Sequence, residues 1–123
     1  MAQFIKSPSI IKAEGTKEKI IMEYFGNVNS KTSEVSIAHM KSPEGWVEPG
    51  QCPKFNEYTV VLKGKLKIST KHGEFLIAEG QGIMTSKDEW VRYSTPFEGG
   101  AEYIAVCLPA FSPDLVQRDK EEL

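Results

Sequence analysis

The sequence predicts an all-β fold, a jelly-roll barrel of two antiparallel sheets, and three observations carry that expectation. Short runs rich in β-branched and aromatic residues follow one another from Lys19 to Leu108. Glycine, proline or polar turn residues stand at nearly every junction between them. Helix signals are confined to the C-terminal end. Many short strands with regular turns are the pattern of a sandwich or barrel.

The strand-like runs fall at 19–25, 34–40, 56–62, 65–70, 74–78, 82–85, 90–94 and 102–108. Turn chemistry lies between them at Gly26-Asn27, Pro43-Glu44-Gly45, Lys63-Gly64, Lys71-His72-Gly73, Glu79-Gly80, Pro96 and Gly99-Gly100. The clearest local unit is a hairpin that pairs Leu66 and Ile68 with Phe75 and Ile77 across the turn at His72. Lys63, Lys65 and Lys67 alternate with Leu66 and Ile68, which describes a strand with one wet and one buried face. At the C-terminal end Ser112 is a candidate helix cap, Pro113 suits the first helical position and Asp114 the first turn. Glu121 and Glu122 at the far end oppose the helix dipole, so this helix is expected to be short.

The 123 residues suffice for one core and show no repeat or linker. A single domain over 1–123 is expected, with its core at about 34–109, an N-terminal arm at 1–18 and a tail at 110–123. Fifteen basic against 17 acidic residues give a net charge of −2. That balance reads the lysines as a solvated face and not as a nucleic-acid patch. No apolar run reaches the ~20 residues that span a bilayer, so no membrane partner is expected. MAQFIKSPSI lacks the apolar stretch of a secretory signal, which points to a cytoplasmic location. Cys52 and Cys107 form no spaced motif and are expected as free thiols.

The most informative stretch is Gly45 to Gly64, GWVEPGQCPKFNEYTVVLKG. It resembles the first motif of the cupin superfamily, G-x5-H-x-H-x3-E-x6-G, with its glycines at Gly45 and Gly64 and its glutamate at Glu57. The two histidine places hold Gln51 and Pro53. A second motif, approximately G-x5-P-x-G-x2-H-x3-N, starts at Gly80, with Ser86 at the proline place and Asp88 at the glycine place. With a one-residue slip, Trp90 takes its histidine place and Ser94 its asparagine place. The resemblance runs from about Glu34 to Pro109 and is to small single-domain bacterial cupins. It implies the double-stranded β-helix, and homodimers are common in the superfamily. The apolar residues of the arm, Phe4, Ile5, Ile10 and Ile11, suit a strand added to a partner's sheet.

Cupin metals are held by imidazoles and a carboxylate that converge in the barrel. This chain has two histidines, His72 in a turn and His39 on a strand, and neither occupies a motif place. No metal and no other cofactor is therefore expected. A makeshift set of His39, Cys52 and Glu57 is the alternative for a metal-dependent enzyme, for example a dioxygenase.

Strand parity suggests what fills the barrel instead. Gln51, Pro53, Phe55 and Glu57 share the parity of the motif's inward positions. Trp90, Arg92 and Ser94 share that of the second motif's histidine. Gln51, Phe55, Glu57, Trp90, Arg92 and Tyr103 are thus the candidate ligand-binding residues, with Glu57 the candidate catalytic carboxylate and Arg92 its expected cationic neighbour. The plainer alternatives are a structural Glu57–Arg92 ion pair, an outward Arg92, and Trp90, Tyr58 and Tyr103 as ordinary packing aromatics.

These residues support three functions. The leading one is a barrel that binds a small polar or anionic molecule without a metal. The second is a metal-independent isomerase, epimerase or lyase with Glu57 as the acid–base group. The third is the metal-dependent enzyme with His39, Cys52 and Glu57 as ligands.

Overall fold

The computed structural model describes residues 1–120. Along it lie β1 (Ser9–Ile11), β2 (Ile20–Phe25), β3 (Ser36–Ser42), β4 (Trp46–Val47), β5 (Asn56–Thr70), β6 (Gly73–Ala78), β7 (Gly82–Thr85), β8 (Val91–Thr95), β9 (Ala101–Leu108) and α1 (Pro113–Val116). The strand pairs are all antiparallel. They form two sheets that share β5. The first runs β1-β2-β3-β9-β5 with β7 beyond, and the second joins β4, β8, the far half of β5 and β6. This is the all-β jelly roll that the sequence predicts.

The long β5 decides how the two sheets enclose a space. Two strands with a turn at Lys63-Gly64 are expected from the sequence, yet the chain continues through as one strand. The register against β9 shifts between Val61 and Lys63, so the side-chain alternation changes phase there. Thr59 and Val61 are buried before the bend, Leu66 and Ile68 after it. Gly64 takes φ 77° at this point, and a Cβ there would overlap the Gly100 carbonyl oxygen. Glycine is therefore required by both its conformation and its neighbour. The lysines flanking Leu66 and Ile68 point away from the core, as their alternation indicates.

Two strands have no counterpart in the sequence reading. β4 is only two residues long and pairs with β8, too short for any periodicity. β1 lies inside the arm and pairs with β2 of the same chain, Ile10 opposite Met22. Strand addition to a partner by all of Phe4 to Ile11 is thus corrected: the last part of that stretch is already used. Glu14 and Thr16 then tie the following loop to β4, through Trp46 Nε1 to the Glu14 carbonyl (3.0 Å) and Thr16 N to the Val47 carbonyl (3.0 Å).

The C-terminal helix is a single turn with Pro113 in its first turn. Ser112 occupies the cap position without a side-chain cap bond. The expected far end at Glu121 and Glu122 lies outside the described residues. Beyond the helix, Gln117 turns left-handed (φ 50°), and the chain runs back along residues 50–54. The buried apolar residues form two clusters. Trp46, Val61, Leu66, Ile68, Val91, Tyr93 and Tyr103 belong to one, and Phe55, Cys107 and Val116 form the other.

Candidate functional site

Residues of both clusters line a cavity of about 70 Å³. Its polar lining includes Lys19, Glu48, Gln51, Glu57, Tyr93, Tyr103 and Arg118. Lys19 precedes β2 and shares the parity of Ile21 and Glu23, which also line the cavity. Glu48 follows β4, where its amide bonds the Tyr93 carbonyl at 3.3 Å. Glu57 opens β5 opposite Cys107 of β9. Tyr93 and Tyr103 come from β8 and β9, and their hydroxyls are tethered to Thr85 Oγ1 (3.0 Å) and Ser42 Oγ (2.8 Å).

The charges here are enclosed without being dry. Lys19, Glu48 and Glu57 keep intermediate exposure because water can enter the cavity, while protein surrounds them on its other sides. Burial pushes the Glu57 carboxyl up to about 7, against the opposing pull of Lys19 and a hydrogen bond from the Cys107 thiol. Burial likewise pushes Glu48 up to about 7, reinforced by Glu57 and opposed by Lys19, Arg118 and Arg92. For Lys19, burial works against the charge, and Tyr103, Glu48 and Glu57 together outweigh it, so the ammonium is held above its ordinary value. Burial drives both Tyr93 and the Cys107 thiol well up, leaving them protonated.

Lys19 forms no ion pair within 4.0 Å of either carboxylate; the ion pairs among the described residues are His39–Glu102, Lys54–Asp88 and Lys67–Glu74. Its Nζ instead lies 4.0 Å above the Trp46 ring and 5.2 Å from that of Tyr103. Glu23 differs from the other two carboxylates, since Oε2 accepts from the Val28 and Asn29 amides at 3.0 and 2.7 Å. Glu48 Oε2 and Arg118 Nε are buried with no hydrogen-bond partner among the described residues.

Of the residues singled out in the sequence, Gln51, Phe55, Glu57 and Tyr103 line this cavity, whereas Trp90 and Arg92 do not. The reason is the one-residue slip in the second motif. Val91, Tyr93 and Thr95 are the buried parity of β8, with Tyr93 lining the cavity, so Val91 takes the histidine place and Thr95 the asparagine place. A shift of one residue exchanges the two faces of a strand. Trp90 packs over Gly50, where a Cβ would overlap its ring, and donates Nε1–H to Asp119 Oδ2 at 2.8 Å. Arg92 stacks over Trp90 at 5.6 Å, lies outside the cavity lining and acts on Glu48 through its charge. Lys19, not Arg92, is the cation that acts on Glu57. At Asp88 the motif alignment holds without slip, for this residue adopts the positive φ (67°) that a glycine would supply.

The proposed metal set of His39, Cys52 and Glu57 does not come together. Ala38 and Met40 line the cavity, so His39 lies on the opposite face of β3 and binds Glu102 (Nε2–Oε2 2.9 Å). Cys52 is half-buried, its amide bound to the Gln117 carbonyl at 3.1 Å, and is not part of the lining. Among the described residues no three His, Cys, Asp or Glu side chains are grouped to hold a metal ion. The cavity offers carboxylates beside a lysine and an arginine, with no imidazole, and this donor set does not fit the metal centre that the cupin resemblance implies. Both cysteines are free. Tyr58, one of the aromatics with an ordinary packing alternative, is exposed at 42%.

Sequence reasoning missed Lys19, Glu48, Tyr93 and Arg118. Parity along Lys19, Ile21 and Glu23 was the available signal for the first, and an unslipped second motif for Tyr93. Glu48 and Arg118 lie where no regular period extends.

No family model matches the chain. It is 35% identical over 101 residues to a protein of Myxococcus xanthus (strain DK1622) named endoribonuclease YbeY, a match that covers 82% of this chain and 34% of that protein. The chain thus spans about a third of that relative's length. Among solved structures, EutQ of Clostridium difficile superposes with a TM-score of 0.63 at 21% identity, covering 75% of this chain and 63% of the other. A predicted oxalate decarboxylase of Thermotoga maritima gives 0.69 at 18% identity, covering 84% and 92%. The Cupin_2 domain of an XRE-family transcriptional regulator from Enterobacter cloacae gives 0.63 at 14%, covering 75% and 97%. At these identities the likeness establishes the fold: the chain is a cupin-type barrel. No helix among the described residues is long and apolar enough to cross a membrane.

Proposed function

We propose that this cupin-fold barrel binds a small polar, anionic molecule in its cavity and does so without a metal. The observation that carries this reading is the Lys19 ammonium, held charged inside the barrel and joined to neither Glu48 nor Glu57 by an ion pair. An ammonium kept charged here, with no carboxylate within ion-pair distance, is open to a bound anion. Gln51 and Tyr103 add polar edges, and Phe55 an apolar wall, the usual make-up of a small-molecule site. Glu57 sits in the motif's glutamate place and fixes the ligand's orientation.

An NMR-screened set of small organic anions and their neutral isosteres tests the reading. Anions are expected to bind, and Lys19→Met to weaken them about tenfold or more. Binding of the neutral members alone would contradict it. Elemental analysis of the purified protein is expected to show no stoichiometric transition metal; near one equivalent, lost in Glu57→Ala, would overturn metal independence.

A second reading, a metal-independent isomerase, epimerase or lyase, is favoured by one observation. Glu48 and Glu57 are both pushed up to about 7, where a carboxyl can take and return a proton at neutral pH. Glu57 would remove a proton beside a carbonyl that Lys19 polarises. Solvent deuterium entering the substrate with wild type but not with Glu57→Gln supports this; equal exchange by both rejects it.

A homodimer belongs to the same proposal. Tyr58, Val60 and Met84 are exposed on the outer face of the first sheet, and the register sets Tyr58 beside Met84 and Val106, and Val60 beside Ile104. Light scattering should give twice the chain mass, and Val60→Glu should halve it. A monomer mass across a wide concentration range would reject the dimer.

A further inference from the structure

We propose that Arg118, delivered by the C-terminal segment, is the recognition residue for the ligand's anionic end, and that the ligand is a small monocarboxylic acid held between Arg118 and Glu48. The inference rests on the barrel reading above and names its ligand class. Residues 115–119 run antiparallel along 50–54 like an added edge strand. Lys54 N bonds the Leu115 carbonyl at 2.8 Å, Cys52 N that of Gln117 at 3.1 Å, and Asp119 N that of Gly50 at 2.7 Å. The Trp90–Asp119 hydrogen bond fastens the far end. Val116 and Arg118 are the two residues that this strand-like segment turns into the cavity.

There the Arg118 guanidinium lies 6.0 Å from the Phe111 ring centre, and its Nε–H is buried without an acceptor among the described residues. Glu48, whose side chain lines the same cavity, has Oε2 buried without a partner among the described residues. Arg118 and Glu48 feel each other's charge, yet no ion pair within 4.0 Å joins them. Unsatisfied polar atoms of this kind are rare in folded proteins, and both side chains line one cavity, where a single group can bond both residues. A carboxylate accepts charge-assisted N–H bonds from Arg118 on one oxygen and an O–H from protonated Glu48 on the other. A dianion such as phosphate would add charge beside Glu48 and Glu57. The volume, about 70 Å³, restricts the acid to a few heavy atoms. Phe55, Phe111 and Val116 give its alkyl part an apolar wall.

The test is an NMR titration of the full chain with propionate, propionamide and inorganic phosphate, alongside thermal melts. Propionate is expected to bind saturably, and the other two about tenfold more weakly or less. Arg118→Gln should weaken propionate about ten- to hundredfold with little change in melting temperature. Arg118→Lys keeps the charge, loses the fork and should fall between; it also serves if the glutamine variant does not fold. Equal propionate affinity in both variants and wild type would overturn the role of Arg118 while leaving a barrel site. Phosphate or propionamide binding better than propionate, with the effect lost in Lys19→Met, would overturn the monocarboxylate class and leave the barrel site. No cavity resonance responding to any of the three probes would overturn the inference and count against the barrel reading with it.

Discussion

Lys19 Nζ lies 4.0 Å above the ring of Trp46, whose own Nε1–H is spent on the Glu14 carbonyl at 3.0 Å. The indole thus offers its face to the ammonium and its edge to the loop that carries it. Removing the charge in Lys19→Met forfeits this contact and leaves Glu48 and Glu57 without their common cation. At pH 8 the variant should lose roughly 1–2 kcal/mol. At pH 6, with the carboxyls protonated, the loss should be smaller. Urea denaturation at both values checks it, and equal loss at both would show that Lys19 does not act through the carboxylates.

Glu48 and Glu57 set the pH dependence of stability. Their folded values near 7 lie above the ordinary 4.5, so the native state holds more protons than the unfolded chain between the two. Their contribution is fully present below about 4.5 and is lost as pH rises through about 7. The ceiling is roughly 3 kcal/mol per carboxyl, and the mutual coupling lowers the sum. Glu57→Gln should flatten the curve and match or exceed wild type at pH 8. A wild-type stability that rises from pH 5 to pH 8 would contradict the burial of these groups.

Gly64→Ala should cost about 3 kcal/mol or more, through left-handed strain and overlap with the Gly100 carbonyl. The bend in β5 joins the two sheets, so both should loosen together. A chemical melt within about 0.5 kcal/mol of wild type would show that the bend tolerates a side chain.

His39→Ala removes a partly exposed pair with Glu102 on the outer face of β3. It should cost no more than about 1 kcal/mol and leave anion binding at the wild-type level. Loss of binding comparable to that of Lys19→Met would place His39 in the site after all.

Fold and site were legible to different depths. The turn residues and alternating runs indicate the jelly roll, and the Gly45–Glu57–Gly64 spacing brings Glu57 to the cavity, because local periodicity and a fixed glycine framework survive in one dimension. The Lys63-Gly64 pair misleads, since a glycine that ends a strand and one that bends it look alike until the Gly100 carbonyl is beside it. Trp90 and Arg92 mislead for a different reason: one residue of register reverses a strand's faces, and only the pairing of β8 with β4 and β5 decides it.

By itself, then, the sequence determined that this chain forms short paired strands around one core and that imidazoles are missing from the cupin motif places. The tertiary structure alone decided what stands in the cavity instead. Lys19, Glu48, Tyr93 and Arg118 come from four separated segments, three of them outside the named strands, and no local period links them. Their shared space, and the burial that moves both carboxyls to about 7, exist only once the two sheets close on each other and the C-terminal segment lies along residues 50–54.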